Sequence, residues 1–301
     1  MSLSKKVKTA LDETRLLILG AQVLFGFQLN GVFQEAFASL SPPTRLVDCA
    51  GQALMTLAIG LLIAPSMQHR LVENGEDTTR IHRVTSLFAG LALLPFGISL
   101  GLSIYIVFHH LYGTAVALIA GTVFCVLAGL FWYAMEFILK RSIGIKPMQE
   151  EEKPTPLPTK VDQMLTEARV IIPGGQALLG FQLTVTLTRA FEQLPEHAKL
   201  LHIAALCCVA LAVILLMTPA ALHRITFMGE DTQSFFKMGS WFVIVAPVPL
   251  ALGIAGDLYV ATSKASDSAT LGTVLALGGL AVLAGLWYVL PIAIRTRDRG
   301  R

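Results

Sequence analysis

Seven stretches of this chain contain no Asp, Glu, Lys or Arg, and most of them are 19 to 27 residues long. A helix needs about 20 apolar residues to cross the ~30 Å hydrocarbon core of a bilayer. Only 14% of the residues are charged, against roughly 25% in soluble chains. We therefore predict an all-α, polytopic membrane protein. The stretches are 16–34, 49–69, 84–135, 170–188, 200–223, 238–256 and 268–294.

The third stretch, 84–135, is too long for a single crossing. Its 52 residues would form a helix of roughly 78 Å, more than twice the thickness of the membrane. Polar and aromatic residues suited to the interface lie between His109 and Thr114, so the chain is expected to turn back there. The prediction is therefore eight transmembrane helices.

The positions of Lys and Arg support this count. If the N-terminus is cytoplasmic and the spans alternate, 19 of the 23 Lys and Arg residues fall on the cytoplasmic side. Such an excess is expected of cytoplasmic loops, and deleting one span would destroy it. Both the N- and C-termini are predicted to be cytoplasmic. The far side receives only Arg45, Arg189, Lys199 and Lys264.

The sequence matches itself after a shift of 154 residues. Between Glu13 and Leu40, 13 of 28 positions are identical to those starting at Glu167, and the match resumes in a later cytoplasmic loop. Each copy contains an even number of spans, which predicts two parallel tandem repeats in the same orientation, unlike inverted transporter repeats. The predicted division is a first four-helix membrane repeat (1–140), a proline-rich acidic cytoplasmic linker (141–159) and a second four-helix repeat (160–301).

One pattern in both halves resembles a known family. In each copy, Glu-x-Arg is followed by Gly-x-Gln, then by Leu-x-Gly-Phe-Gln-Leu, and later by Pro-x-x-x-His-Arg. This is similar to a family of small, uncharacterised bacterial membrane proteins about one repeat long, some of which carry an automatic sodium:proton antiporter label. The resemblance implies two fused copies, a multi-pass protein of the bacterial cytoplasmic (inner) membrane, and pairing of single repeats in other members.

Polar residues retained in both repeats near the cytoplasmic ends of the spans are the first candidate site. They could form a polar vestibule that binds an ion, a lipid head group or a partner. Alternatively, Arg residues at span ends only anchor the topology, and the Asp-Thr pairs begin the next helix. The candidates are Glu13, Arg15, His69, Arg70, Asp77, Glu167, Arg169, His223, Arg224 and Asp231.

Four glutamines lie deeper in the first span of each repeat. A primary amide in hydrocarbon costs free energy unless it finds a partner, so these side chains should face protein or water. Hydrogen bonding between helices is the simpler interpretation, and a polar path through the membrane is the alternative. The residues are Gln22, Gln28, Gln176 and Gln182.

No Asp, Glu, Lys or Arg near the middle of the membrane is retained in both repeats. Asp257 aligns with Ser103, and Asp48 aligns with His202. Because proton-coupled transporters usually need an intramembrane ionisable group, this observation argues against an antiporter.

No motif of a catalytic, metal or nucleic-acid site is found, so we predict no enzyme activity, no metal and no cofactor. Two functions remain. The protein is a channel or transporter for a small ion or solute, or it is a non-transporting membrane scaffold or accessory subunit. The expected partners are the lipid bilayer, a second copy of the chain or another membrane protein, and no nucleic acid.

Overall fold

A computed structural model describes residues 3–134 and 154–299, which form long helices joined by short loops. The helices largely cover the predicted charge-free stretches, although two of them begin 13 residues before theirs. One helix ends at Tyr112, within the predicted turn. The first half contains α1 (Leu3–Gly31), α2 (Pro42–Leu71), α3 (Thr79–Tyr112) and α4 (Thr114–Ala134). The second half contains α5 (Leu157–Val185), α6 (Glu196–Ile225), α7 (Gln233–Ser266) and α8 (Ala269–Arg299).

The internal duplication is present in the helix boundaries themselves. Helices α1 and α5 each have 29 residues, α2 and α6 each have 30, and α3 and α7 each have 34. Each of these pairs begins 154 residues apart, which is the shift found in the sequence. The two halves therefore have the same order and length of helices through their first three members.

Local details are also repeated. Two consecutive residues adopt positive φ after α2, at Asn74 and Gly75, and again after α6, at Met228 and Gly229. A glycine accepts this left-handed conformation without steric cost, which explains its presence at the second position of both turns. The following helices begin alike: the Thr78 hydroxyl accepts a hydrogen bond from the amide of Ile81, and Thr232 caps α7 in the same way.

Six of the eight helices are long and apolar enough to cross a membrane: α2, α3, α4, α6, α7 and α8. The protein is therefore a multi-pass membrane protein by this criterion. Helices α1 and α5 are not in this set. Each carries charges in its first turns and two glutamines further along, and the two helices pack against each other between the halves. The predicted linker 141–159 falls largely outside the described residues, and α5 already begins at Leu157.

The two halves do not pack symmetrically. Helix α2 contacts α7 and α8 of the other half, and the indole N–H of Trp287 donates to the carbonyl of Gly60 at 2.9 Å. Helix α6, the equivalent of α2, leaves large apolar side chains such as Ile214 and Met217 exposed. Helix α2 consequently lies at the centre of the structure, whereas α6 lies at its edge.

The crossing of α1 and α5 has the same asymmetry. Gln22 of α1 is buried against Gly174 of α5, where an added Cβ would lie 1.4 Å from the Gln22 side-chain oxygen. The equivalent pair, Gln176 of α5 and Gly20 of α1, makes no such contact, because Gly20 has open space around it and Gln176 is exposed. Glycine at position 174 therefore permits a close helix approach that the equivalent glycine does not make.

Candidate functional site

Three of the ten candidate residues form one buried cluster that joins the two halves. His69 and Arg70 end α2, and both bind Glu167 of α5. The Nδ1 atom of His69 lies 2.5 Å from Glu167 Oε1. The Arg70 guanidinium binds both carboxylate oxygens, through Nε and through Nη2, the latter at 3.0 Å. This two-pronged arrangement is the strong form of a charge-assisted hydrogen bond.

The cluster is enclosed on all sides. Glu167 and His69 are 1% and 0% exposed. The Arg70 guanidinium lies over the ring of Phe236 in α7, at 5.6 Å from the ring centre, and its Nη1 is 3.5 Å from the hydroxyl of Ser240. The opposite edge of His69, at Nε2, has no hydrogen-bond partner among the described residues. This arrangement holds α2, α5 and α7 together, and it leaves no open vestibule around Glu167.

The equivalent residues of the other repeat do not form a second cluster. Glu13 and Arg224, the counterparts of Glu167 and Arg70, are both exposed. His223 instead lies 3.3 Å from Asp231; His223 is only partly buried, and Asp231 is exposed. Arg169 is exposed, and the side chain of Arg15 lies outside the described part of the structure. The predicted residues are thus brought together once, across the repeats, and not twice within them.

The loop after α2 is bound by the beginning of the second repeat. Asp77 accepts a hydrogen bond from the amide nitrogen of the Gln163 side chain at 2.7 Å, and its backbone N–H donates to the hydroxyl of Thr155 at 2.8 Å. Partial burial acts to raise the pKa of Glu76, but hydrogen bonds from Lys160 and from the amide of Thr155 lower it overall. The contact therefore stabilises the fold at neutral pH and is lost as the pH falls through that lowered pKa.

Gln28 and Gln182 occupy equivalent positions and make related contacts. The Gln28 side-chain nitrogen donates to the hydroxyls of Ser99 and Ser103, at 2.8 and 3.0 Å. The Gln182 side-chain nitrogen donates to the carboxylate of Asp257 at 2.7 Å. The side-chain oxygens of both glutamines are buried without a partner among the described residues. Each repeat therefore carries an unsatisfied acceptor at the same place.

A buried carboxylate accompanies each of these glutamines, but a different helix supplies it. In the first repeat it is Asp48 of α2, which accepts from the Gln52 side chain at 2.7 Å. In the second repeat it is Asp257 of α7, which lies 3.6 Å from Nδ1 of His202 on α6. A comparison of aligned positions misses this correspondence, because Asp48 aligns with His202 and Asp257 with Ser103.

Asp48 with Gln28, and Asp257 with Gln182, line two cavities that are built from equivalent residues. The first-repeat cavity has a volume of about 410 Å³, and the second-repeat cavity has about 10 Å³. Every second-repeat residue that lines the smaller cavity has its counterpart, 154 positions earlier, in the lining of the larger one. The paired residues are Leu24 and Leu178, Phe27 and Phe181, Gln28 and Gln182, Gly31 and Val185, Asp48 and His202, Ser103 and Asp257, Ile106 and Val260, and Val107 and Ala261. We call these two cavities the first pocket and the second pocket.

Comparison with known proteins gives one family. A model described as "Family of unknown function (DUF6328)" matches the chain twice, over residues 2–136 and 150–291. No curated protein and no solved structure matches the chain. The two matched segments coincide with the two halves of the fold, as expected for two fused copies of one unit.

Proposed function

The chain belongs to the Family of unknown function (DUF6328) as a tandem pair, and we propose that it is a membrane carrier for a small ion or solute. The observation that carries this proposal is the buried carboxylate beside the deep glutamine in each pocket. Asp48 and Asp257 are 7% and 4% exposed. Ionisable groups inside a membrane are costly, and they are retained mainly where they serve a pathway or a relay.

The two pockets weaken the objection drawn from the sequence alignment. Neither carboxylate is retained at its aligned position, yet each pocket holds one. For the electrostatics of the site it matters that each pocket contains a carboxylate, and not which helix supplies it. The side-chain oxygens of Gln28 and Gln182, which have no hydrogen-bond partner among the described residues, add acceptor capacity, and this favours a positively charged substrate or a proton.

The proposed topology has eight spans, with α1 and α5 completing the six apolar helices. Their charge-free stretches of 19 residues are long enough to cross the bilayer once packed together. Both termini are then cytoplasmic, in a bacterial inner membrane, and the Glu167 cluster closes the inner end. Tags at the two termini and in the 141–153 segment should all be protected in intact cells. Accessibility of any one of them from outside would contradict this topology.

The proposed carrier activity is tested by flux into liposomes that contain the purified chain, for Na⁺, K⁺, H⁺ and Cl⁻ in turn. Replacing both carboxylates, as Asp48→Asn with Asp257→Asn, should lower the flux of the transported ion at least about tenfold, equivalent to ~1.4 kcal/mol. The matched control is Asp231→Asn, an exposed carboxylate, which should leave the flux unchanged.

The second candidate function is that of a non-transporting scaffold or accessory subunit. For both candidates we propose no enzyme activity and no cofactor. The observation that favours the second candidate is the burial of His69, Arg70 and Glu167, which leaves no open vestibule around this cluster within the described residues. No flux above that of empty vesicles for any of the four ions would favour this candidate over the carrier. The double Asn variant would then alter neither flux nor membrane insertion.

A further inference from the structure

The two pockets differ in what closes them. The second pocket is completed by Leu29 and Phe33, two residues of α1 and its following turn that enter from the first repeat. These side chains are 5% and 4% exposed. Their equivalents, Leu183 and Leu187, are 52% and 88% exposed and do not line the first pocket. The same site is therefore filled in one repeat and open in the other.

The open pocket offers an apolar lining and hydrogen-bond acceptors. Both hydrogens of the Gln28 amide are donated to Ser99 and Ser103, and the Ser103 hydroxyl donates to the Ser99 carbonyl at 3.0 Å. The N–H groups of Gln28 and the hydroxyl of Ser103 therefore already donate their hydrogen bonds within the protein. What remains is the Gln28 side-chain oxygen, which is buried without a partner among the residues that the structure describes, and the carboxylate of Asp48, which accepts a hydrogen bond from Gln52.

The shape of the pocket adds a second restriction. Its volume of about 410 Å³ lies within the 300–1,000 Å³ range of small-molecule sites. Phe27, Val107 and Leu111 line it and are each more than half exposed, so they form its rim. A ligand therefore enters between α1 and α3 past apolar side chains, and only its innermost end meets polar atoms.

We infer that the first pocket binds an amphipathic organic cation, with its ammonium group at Asp48 and Gln28 and its apolar body along α1 and α3. Charge complementarity carries this assignment, because an ammonium group brings a donor for the Gln28 oxygen and a positive charge that complements the Asp48 carboxylate. The second pocket is the same site held shut by Leu29 and Phe33, so that one ligand binds per chain. This inference names a substrate class for the proposed carrier, but binding is measured without transport.

The test uses the full chain in lipid nanodiscs and three probes of matched shape. Phenylbutylamine is protonated at neutral pH, as alkyl amines with a pKa near 10 are, phenylbutanol is neutral and phenylbutyrate is an anion. Equilibrium dialysis should give one bound amine per chain, with the alcohol and the acid at least about tenfold weaker. Equal binding of amine and alcohol would overturn the assignment and indicate an apolar occupant such as a lipid chain.

Two variants of the first pocket separate charge from volume. Asp48→Asn removes the charge and should weaken amine binding at least about tenfold while leaving the alcohol unaffected. Gly31→Val introduces the residue found at the equivalent position 185, and a Cβ at Gly31 meets no atom within 4 Å. It should fold normally, as judged by an unchanged melting temperature, and should weaken both probes. Undiminished amine binding in either variant would overturn the proposal.

Opening the second pocket tests the claim of equivalence. The double variant Leu29→Ala with Phe33→Ala should raise the number of bound amines from one to two per chain. The matched control, Leu183→Ala with Leu187→Ala, alters exposed side chains, and the number of bound amines should remain one per chain. If the first double variant does not fold, Phe33→Ala alone is the fallback, with the same expected gain. A stoichiometry that stays at one in a folded variant would contradict the equivalence.

These binding results are independent of the flux measurement. Amine binding that responds to Asp48→Asn, in a chain that moves no ion, would leave the pocket assignment intact and remove the carrier function. Ion flux without any amine binding would support the carrier function and contradict the pocket assignment.

Discussion

Replacing Glu167 by Ala is expected to lower the free energy of unfolding by about 3–5 kcal/mol, the cost of breaking a buried ion pair by removing one partner. The change leaves the Arg70 guanidinium and His69 buried with no carboxylate, in a place where both are at most 4% exposed. Because the cluster ties α2 to α5, the loss should be visible as a lower melting temperature of the purified chain and as easier unfolding in denaturant.

The duplication supplies the control for this experiment. Glu13 is the counterpart of Glu167, and it is exposed. Glu13→Ala should change the stability by no more than about 0.5 kcal/mol, as surface substitutions usually do. Equal losses for Glu13→Ala and Glu167→Ala would mean that the cluster forms in both repeats or in neither.

Replacing Trp287 by Ala is also expected to lower the free energy of unfolding, by about 3–5 kcal/mol. Trp287 is fully buried, and its indole N–H reaches the carbonyl of Gly60 on α2. The substitution therefore opens a cavity at the contact between the two repeats. Trp287→Phe keeps most of the packing and should cost only about 0.5–1.5 kcal/mol for the lost hydrogen bond.

Trp132 is the matched control for this second prediction. It occupies the equivalent π-helical turn at the end of α4, but it is only partly buried and packs within its own repeat, at 5.8 Å from Phe96. Trp132→Ala should therefore cost clearly less than Trp287→Ala in the same unfolding assay. If Trp132→Ala costs as much, α2 is not the central helix of the structure.

The sequence predicted the helices well, because their signal is local. A predominantly apolar stretch of about 20 residues without charge favours a helix that lipid can surround, and the turn near Gly113 follows from length alone. The stretches in α1 and α5 are also free of charge, but these two helices are not among the six that are apolar enough to cross a membrane. The helix ends were less accurate: α1 begins at Leu3 and not near Leu16. Its first turns carry Val7 and Leu11, which pack on Ile81 of α3, a contact that no local pattern contains.

The asymmetry of the two repeats could not be predicted in this way. A duplicated sequence predicts two equal clusters, but α1 and α5 meet with Gln22 on Gly174 and not with Gln176 on Gly20. This displacement lets Glu167 reach His69 while Glu13 stays exposed. Packing between repeats decides the outcome, and sequence identity between repeats contains no information about it.

The paired carboxylates were hidden for a different reason. Asp48 and Asp257 were visible in the sequence, but an alignment compares each position only with its own counterpart. Facing residues on α2 and α3 of the first repeat, and on α6 and α7 of the second, share one pocket. A search for a carboxylate at either position of the facing pairs Asp48/Ser103 and His202/Asp257 would have found both Asp48 and Asp257.

The unequal packing of two equivalent repeats is tested most directly by a cryo-electron microscopy map of the full chain in a lipid nanodisc. We expect density for Leu29 and Phe33 inside the second pocket, an open first pocket beside Asp48, and a single Glu167 cluster at the interface. A map with twofold symmetry, in which both pockets are open or both are filled, would contradict this account.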